Sequence, residues 1–389
     1  MKTLPLAGIV VCALTGCSGR QPRSVEAGST AGPATRTYYV AADEVDWNYT
    51  PAGIDKMMGM EFMGYAKVVT EHGPHRIGTV YRKAIYREYT DATFSTLKPR
   101  PAGSEYLGLV GPVLRAEVGE TIRVVFKNNA THPYSMHPHG VFYKKDSEGA
   151  QYADGTSGAD KADDGVPPGQ THTYTWEVRE RAGPGAQDPS SVVWLYHSHT
   201  VDLKDVESGL IGAIVVTRRG MSGADGKPRD VDREFVNLFM IFDENASWYL
   251  EHNIQTFTTD PKGVNRLEAI PANEEGAFSA ALNRGFGPSN IKATINGYMY
   301  ANMPLMTMKK GERVRWYLIT VGQGFNFHTP HWHGNVVVDA GRRTDVISLA
   351  PAQMDTVDMV PDDPGVWLYH CHVAEHMHGG MVAMYKVEP

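Results

Sequence analysis

Residues 367–381, WLYHCHVAEHMHGGM, hold His370, Cys371, His372, His376 and Met381. A thiolate, imidazoles and a thioether in one short segment suit copper better than any hard cation. The apolar, aromatic WLY run puts His370-Cys371-His372 at the end of a strand. Successive strand side chains face opposite ways, so His370 and His372 point to one side and Cys371 to the other. One segment can then touch two metal centres. Residues 328–333, HTPHWH, supply partners for both. His331 and His333 share a face if the segment is extended; His328 is an odd number of positions away and can face Cys371. The set His328, Cys371, His376 and Met381 is the two-His, one-Cys, weak axial Met arrangement of a blue, or type 1, copper. A lone histidine is more often an ordinary core or surface residue. HxxHxH and HCHxxxHxxxxM together make that reading a poor one here.

The same patterns occur earlier. HPYSMHPHG carries His137 and His139, and WLYHSHT carries His197 and His199. WLYHSH repeats WLYHCH with Ser198 at the place of Cys371, and HPHG repeats HWHG. The place of His328 is taken by Tyr134 and, counting forward, that of His376 by Leu203. The chain is therefore an internal duplication, and its first copy has lost the blue-copper set while keeping both His-x-His pairs. Four pairs make eight imidazoles, the complement for three copper ions that also hold oxygen-derived ligands. Dioxygen takes four electrons to become water, and one blue copper plus a three-copper cluster can store four. Neither copy owns eight histidines. The cluster must lie between a first-copy and a second-copy domain, and the next chain must supply the partner if the two cannot meet within one chain. The first copy is longer between its pairs, 137 to 197 against 331 to 370, largely through the Gly- and Asp-rich residues 146–165. Asp160, Asp163 and Asp164 there offer oxygens to a hard cation such as calcium, against the simpler reading of a solvated acidic loop.

Short β-branched and aromatic runs between 40 glycines and 24 prolines predict an all-β architecture around these sites. The 389 residues suffice for two or three domains, and 42% hydrophobic with 21% charged residues fits a globular protein. A net charge of −7 with no basic stripe argues against a nucleic-acid partner. Residues 1–17 read as an export signal, too short to span a membrane. Their Leu14-Thr15-Gly16-Cys17 ending resembles a bacterial lipoprotein signal, which predicts a lipid anchor on Cys17 and a periplasmic or cell-surface location. Residues 18–35 read as a flexible tether, 36–220 as the first domain, 221–232 as a linker and 233–389 as the second. Cys12 and Cys17 lie in the leader, so Cys371 stands alone in the body and is better read as a ligand than as half a disulfide. Two methionine groups, Met57, Met58, Met60 and Met63 near His72 and His75, and Met299, Met303, Met306 and Met308, are expected as core or loop filler. A soft Cu(I) contact is the minority reading.

These motifs, from about residue 36 to the C-terminus, resemble the multicopper oxidases, in a two-domain, laccase-like type with ceruloplasmin-like domains. YLGLVGPVLRAEVGE, HPHGVFY, YHSHTVDLKDVESGLIG and HCHVAEHMHGGM carry the likeness. The resemblance implies two cupredoxin-like Greek-key β-sandwich or barrel domains and a homotrimer, with each cluster between the first domain of one subunit and the second of its neighbour. It implies that His137 and His331 hold the type 2 copper, and that His139, His197, His199, His333, His370 and His372 hold the type 3 pair, giving four coppers per chain. It also adds Lys145 to the calcium reading of Asp160, Asp163 and Asp164. In the iron-oxidising site of ceruloplasmin-like members an acid stands where Glu375 is here, but that site's Glu and His are replaced by Pro288 and Ala293. The expectation is therefore laccase-like: a phenol or aromatic amine gives electrons near His376, and dioxygen is reduced to water. Oxidation of Cu(I) or Fe(II) is the alternative. A blue-copper carrier without turnover would need only His328, Cys371, His376 and Met381, and a copper nitrite reductase would leave four complete His-x-His pairs unexplained.

Overall fold

The structure is a computed structural model that describes residues 34–268, 285–324 and 326–389. The expected export signal, the lipidated Cys17 and all but the end of the tether lie outside the described residues. From Pro33 onward the chain forms one compact unit. Its first eight strands are β1 (Thr35–Asn48), β2 (Val80–Tyr89), β3 (Leu114–Glu117), β4 (Thr121–Asn128), β5 (His137–Pro138), β6 (Thr171–Glu177), β7 (Ser191–His197) and β8 (Ile211–Thr217). Ten more follow among the described residues: β9 (Arg233–Asp243), β10 (Ile291–Ile295), β11 (Met306–Lys309), β12 (Val314–Thr320), β13 (Pro330–Trp332), β14 (Val337–Asp339), β15 (Arg342–Thr344), β16 (Met354–Met359), β17 (Gly365–Cys371) and β18 (Val382–Glu388). The all-β expectation holds.

The two halves repeat one topology. Strand orders β2-β1-β4-β6 and β3-β8-β7-β5 in the first half correspond to β10-β9-β12-β16, extended by β14-β15, and β11-β18-β17-β13 in the second. The parallel pairs correspond too: β1 with β4 and β3 with β8 match β9 with β12 and β11 with β18. Non-consecutive neighbours of this kind are the crossovers of a Greek key. The duplication seen in the motifs therefore extends to the whole sheet architecture, a cupredoxin-like pair.

Apolar burial joins the halves. One core contains Tyr49, Val193 and Leu195 from the first half and Trp316, Trp332 and Tyr369 from the second. β7, which ends in His197, lies against the second half. Its Val193 N–H donates to Thr356 Oγ1 at 3.3 Å, and Ser191 Oγ lies 2.7 Å from Tyr317 Oη. Arg315, almost fully buried in β12, is fully engaged: it clasps Asp358 with Nε and Nη2 at 2.7 and 2.9 Å and reaches Ser190 and Ser191 with Nη1. A guanidinium can be buried only with its donors paired in this way.

A second buried charge fixes the segment after His199. Lys83 Nζ, fully buried, donates to Glu244 Oε1 at 2.5 Å and to the Glu207 carbonyl at 2.6 Å. Glu207 sits in the helix Asp202–Ser208, and Tyr49 Oη also donates to Glu244. Among the described residues no helix is long and apolar enough to cross a membrane. Removing one partner of a buried pair leaves an uncompensated charge. Glu244→Leu is therefore expected to cost about 3–5 kcal/mol in chemical denaturation, with Lys83→Met in the same chain recovering most of it. A loss below about 1 kcal/mol, the level of an exposed pair, would show that the pair contributes little.

Candidate metal centres

Residues on three elements meet beneath the end of β17. His328 Nδ1 and His376 Nδ1 lie 3.9 and 3.6 Å from Cys371 Sγ, and the two rings are 5.0 Å apart. His328 and Cys371 are fully buried and His376 is nearly so. The turn that returns His376 and Met381 is tied to the strand: Cys371 N–H donates to the Met381 carbonyl at 3.1 Å, and Met381 N–H to the His376 carbonyl at 2.9 Å. Met381 is fully buried. Two imidazoles and a thiol brought together from three elements, with a buried thioether on the turn after β17, form a donor set that fits copper and no hard cation. Asn326 Oδ1, 3.1 Å from His328 Nε2, accepts its proton and leaves Nδ1 free to bind a metal. Thr329 N–H donates to Cys371 Sγ at 3.3 Å, which favours the thiolate. The sequence patterns did not point to Asn326 or Thr329, because neither residue type is itself a ligand.

Burial sets the protonation of the donor set. It pushes the Cys371 thiol up, against the pull of the Thr329 and Val373 N–H groups. It pushes His328 down to about 3 and lowers His376 as well. Both imidazoles are therefore neutral and ready to donate lone pairs at neutral pH, while the thiol holds a proton.

On the opposite face of β17 lies a second group. The register pairs His331 with His370, just as His137 pairs with His197 in the first half. His370 Nε2 is 3.2 Å from His331 Nδ1 and 3.0 Å from His333 Nε2; in the first half His139 Nε2 is 3.3 Å from His197 Nε2. Two metal–nitrogen bonds of about 2 Å set nitrogens roughly this far apart. His199 and His372 complete the groups through ring contacts of 5.2 Å with His137 and 5.1 Å with His331. His370 and His197 donate Nδ1–H to the carbonyls of Cys371 and Ser198, at 2.8 and 3.0 Å, so both present Nε2. Burial brings His139 down to about 3 and His137 and His370 to about 4, so these rings are neutral. Each group also has a carboxylate that its motif did not predict: Asp202 is 3.3 Å from His197 Nδ1, and Asp345 is 3.5 Å from His331 Nε2. The glycine after each His-x-His is required by packing. Gly140 and Gly334 have positive φ, and a Cβ would fall 2.0 Å from Trp194 and 2.6 Å from Trp367.

No ring contact among the described residues joins the two groups of four histidines. His331 and His333 of the second group line an open recess of about 500 Å³ with Asp345, Asp362 and Asp363.

The first half retains the outline of the blue-copper set with different residues. Ser135 N–H donates to Ser198 Oγ at 3.0 Å, as Thr329 N–H does to Cys371, and Ser198 N–H donates to the Leu210 carbonyl, as Cys371 N–H does to Met381. Leu210 thus stands for Met381, two residues later than forward counting gives. The place of His376 then falls to Asp205, fully buried, whose Oδ2 accepts from Ser198 Oγ at 2.7 Å. Leu203, expected there, is 44% exposed. Forward counting fails because the turn after Ser198 is longer than its counterpart.

In the acidic loop, lysines pair with Glu148, Asp154 and Asp164: Lys145 with Glu148 and Asp154, and Lys161 with Asp154 and Asp164. Asp163 is buried and accepts from Gly149 N–H at 2.7 Å, while Asp160 is exposed. Glu375 is exposed on the helix that carries His376. Ala293 lies in β10, where a Cβ built on Gly379 would approach its own Cβ to 3.1 Å; Pro288 lies in the short helix before β10. Of the methionines, Met299, Met303, Met306 and Met308 are core, as expected, whereas Met58, Met60 and Met63 are exposed.

Two family models, both described as multicopper oxidase, match residues 107–220 and 270–389, together more than half of the chain. The chain is 44% identical over 360 residues to human Ferroxidase HEPHL1, covering 92% of this chain and 30% of that protein. It is 40% identical over 359 residues to mouse hephaestin (91% of this chain, 30% of that one) and 37% identical over 357 residues to human ceruloplasmin (90% and 30%). The chain thus spans about a third of the length of these relatives. Among solved structures, a blue copper oxidase from Nitrosomonas europaea aligns with a TM-score of 0.54 at 16% identity, over 91% of this chain and 86% of that one. A structure described as a multicopper oxidase aligns with a TM-score of 0.52 at 17% identity, over 91% and 88%. At these identities the structural likeness concerns the fold.

A protonated thiol beside neutral imidazoles has a measurable consequence. Copper uptake at Cys371 is expected to release one proton, and affinity should rise about tenfold per pH unit while the thiol remains protonated in the metal-free protein. Titration calorimetry in buffers of differing ionisation enthalpy counts that proton. A count of zero at neutral pH would show that the thiolate is already formed.

Proposed function

We propose, from the premise that this chain belongs to the multicopper oxidase family, that it oxidises a reduced metal ion and passes the electrons to dioxygen. The observation that carries the reading is the meeting of His328, Cys371 and His376 on one face of a strand whose other face carries His370 beside His331 and His333. Copper at the first set would accept electrons singly, and copper at the eight-histidine set would deliver four of them to dioxygen.

The chain's own residues support this division of labour. The Thr329 N–H favours the Cys371 thiolate, and buried Met381 would act as the weak axial ligand. Cys371 is joined to His370 by the main chain and again by the His370 Nδ1–H bond to its own carbonyl. Two short routes thus run from Sγ to the opposite face. In this reading His328, Cys371, His376 and Met381 hold type 1 copper, His137 and His331 type 2, and His139, His197, His199, His333, His370 and His372 the type 3 pair. Asp202 and Asp345, 3.3 and 3.5 Å from ring nitrogens of His197 and His331, would orient those imidazoles toward the metal.

No ring contact among the described residues joins the two groups of four histidines within the chain, and His331 and His333 line an open recess. Both facts favour completion by another copy, with three copies closing a ring of 36–220 and 233–389 domains. Calcium at the acidic loop has less support, since Lys161 already pairs with Asp164 and Asp160 is exposed.

The reductant is a metal ion rather than the phenol that the motifs alone suggested. The support is the 44% identity to a relative named a ferroxidase. With Pro288 and Ala293 in place of two iron donors, Glu375 is what remains of that site beside His376. Oxygen uptake by copper-loaded protein is expected to be fastest with Fe(II) or Cu(I) and slower with a phenol; the reverse order would return the protein to the laccase-like reading. Cys371→Ser should lose the blue absorbance and at least about 10³-fold in turnover, an effect of the size seen on removing an essential catalytic group, while histidine-bound copper remains. A variant that keeps its colour would contradict the assignment.

A further inference from the structure

Residues 55–63, DKMMGMEFM, form a tight turn built on Asp55. The Asp55 carboxylate accepts from Met57 N–H and Met58 N–H at 2.9 and 3.1 Å, its carbonyl accepts from Gly59 N–H at 2.8 Å, and its own N–H donates to the Met60 carbonyl at 2.9 Å. Gly59 supplies the positive φ at the apex. The thioethers are not core filler. Met58, Met60 and Met63 are 62%, 44% and 65% exposed, the first two on a turn whose backbone N–H groups are bonded from Asp55 to Met60 and the third just after it.

The turn is seated next to the electron-accepting set. Lys56 N–H donates to the Tyr300 carbonyl at 3.1 Å, and the Phe62 and Tyr300 rings are 5.4 Å apart. Tyr300 in turn donates its N–H to the Gly380 carbonyl at 2.8 Å and its hydroxyl to the His378 carbonyl at 3.0 Å. His378 and Gly380 lie between His376 and Met381. One residue thus bridges the methionine turn and the segment that holds two members of the blue-copper set.

We infer that the Met57–Met63 turn is a docking site for Cu(I), the substrate of the metal-ion reading on which this inference rests. Thioethers are soft donors that hold Cu(I) and neglect Fe(II), which prefers oxygen and nitrogen. A docked Cu(I) gives one electron to the centre at Cys371 and leaves as Cu(II), for which thioethers are poor ligands. Four such losses with four protons balance one dioxygen becoming two waters. The turn therefore supplies soft donors beside a site where Pro288 and Ala293 have removed hard ones.

The test uses copper-loaded protein and the variant Met58→Leu, Met60→Leu, Met63→Leu, whose positions are exposed and whose volumes are kept. Ag(I), soft and not oxidised, probes binding without turnover. The wild type is expected to take up at least one Ag(I) per chain that the variant does not. The variant's KM for Cu(I) should rise about tenfold or more with kcat little changed, the signature of lost binding alone. Its blue absorbance and its oxidation of Fe(II) and a phenol should be unchanged. Equal Ag(I) uptake, or an unchanged KM for Cu(I), would overturn the inference. If the wild type oxidises no reduced metal ion, the functional reading fails by itself, and the turn stands as a soft-metal site only if the Ag(I) difference is seen.

Discussion

Everything in this molecule depends on the alternation of side chains along β17. Because successive strand residues face opposite ways, Cys371 turns toward His328 and His376 while His370 turns toward His331 and His333. A helix could not place neighbouring residues in two separate metal environments. The rest of the fold holds that strand still. β13 and β18 flank it in one sheet, Trp367 packs over Gly334, and β7 of the other half is tied across Tyr317 and Thr356. Burial then lowers His328, His376, His331 and His370, so a cation meets these rings as lone-pair donors without competing positive charge.

The duplication shows how such a site is lost without losing the fold. The hydrogen bond that Thr329 gives to Cys371 is given by Ser135 to Ser198, and Asp205 caps the serine where His376 would bind. Tyr134, at the place of His328, reaches Tyr249 instead. A thiolate and two imidazoles have been exchanged for a closed set of hydroxyls and a carboxylate. The polar groups remain satisfied, as burial demands. The His-x-His pairs on the same strands are untouched, because their function depends on the opposite face.

Much of this was readable in the chain itself. HxxHxH and HCHxxxHxxxxM fix relative facing directly, since strand alternation is local, and the repeated WLYH and HxHG runs announced two copies of one all-β unit. What escaped was set by distance. Asp205 rather than Leu203 fills the lost site because the turn after Ser198 is longer, and a turn's path is not written in residue types. Asn326, Thr329, Asp202 and Asp345 act as supports, and supporting residues carry no pattern of their own. The two methionine groups look alike in sequence, yet one is core and the other exposed, because burial is decided by strands far away in the chain. The buried pair of Lys83 with Glu244 spans 161 positions and both halves, beyond the reach of any local motif.

The central claim is that Cys371 completes a copper site within one chain while the eight histidines complete theirs only between chains. Diffraction at the copper absorption edge, from crystals of the loaded protein, tests it directly. The account predicts one peak beside Cys371, His328 and His376, and a separate group of three between the His137, His139, His197 and His199 set of one copy and the His331, His333, His370 and His372 set of another. Three peaks enclosed by a single chain, or a Cys371 peak alone, would contradict it.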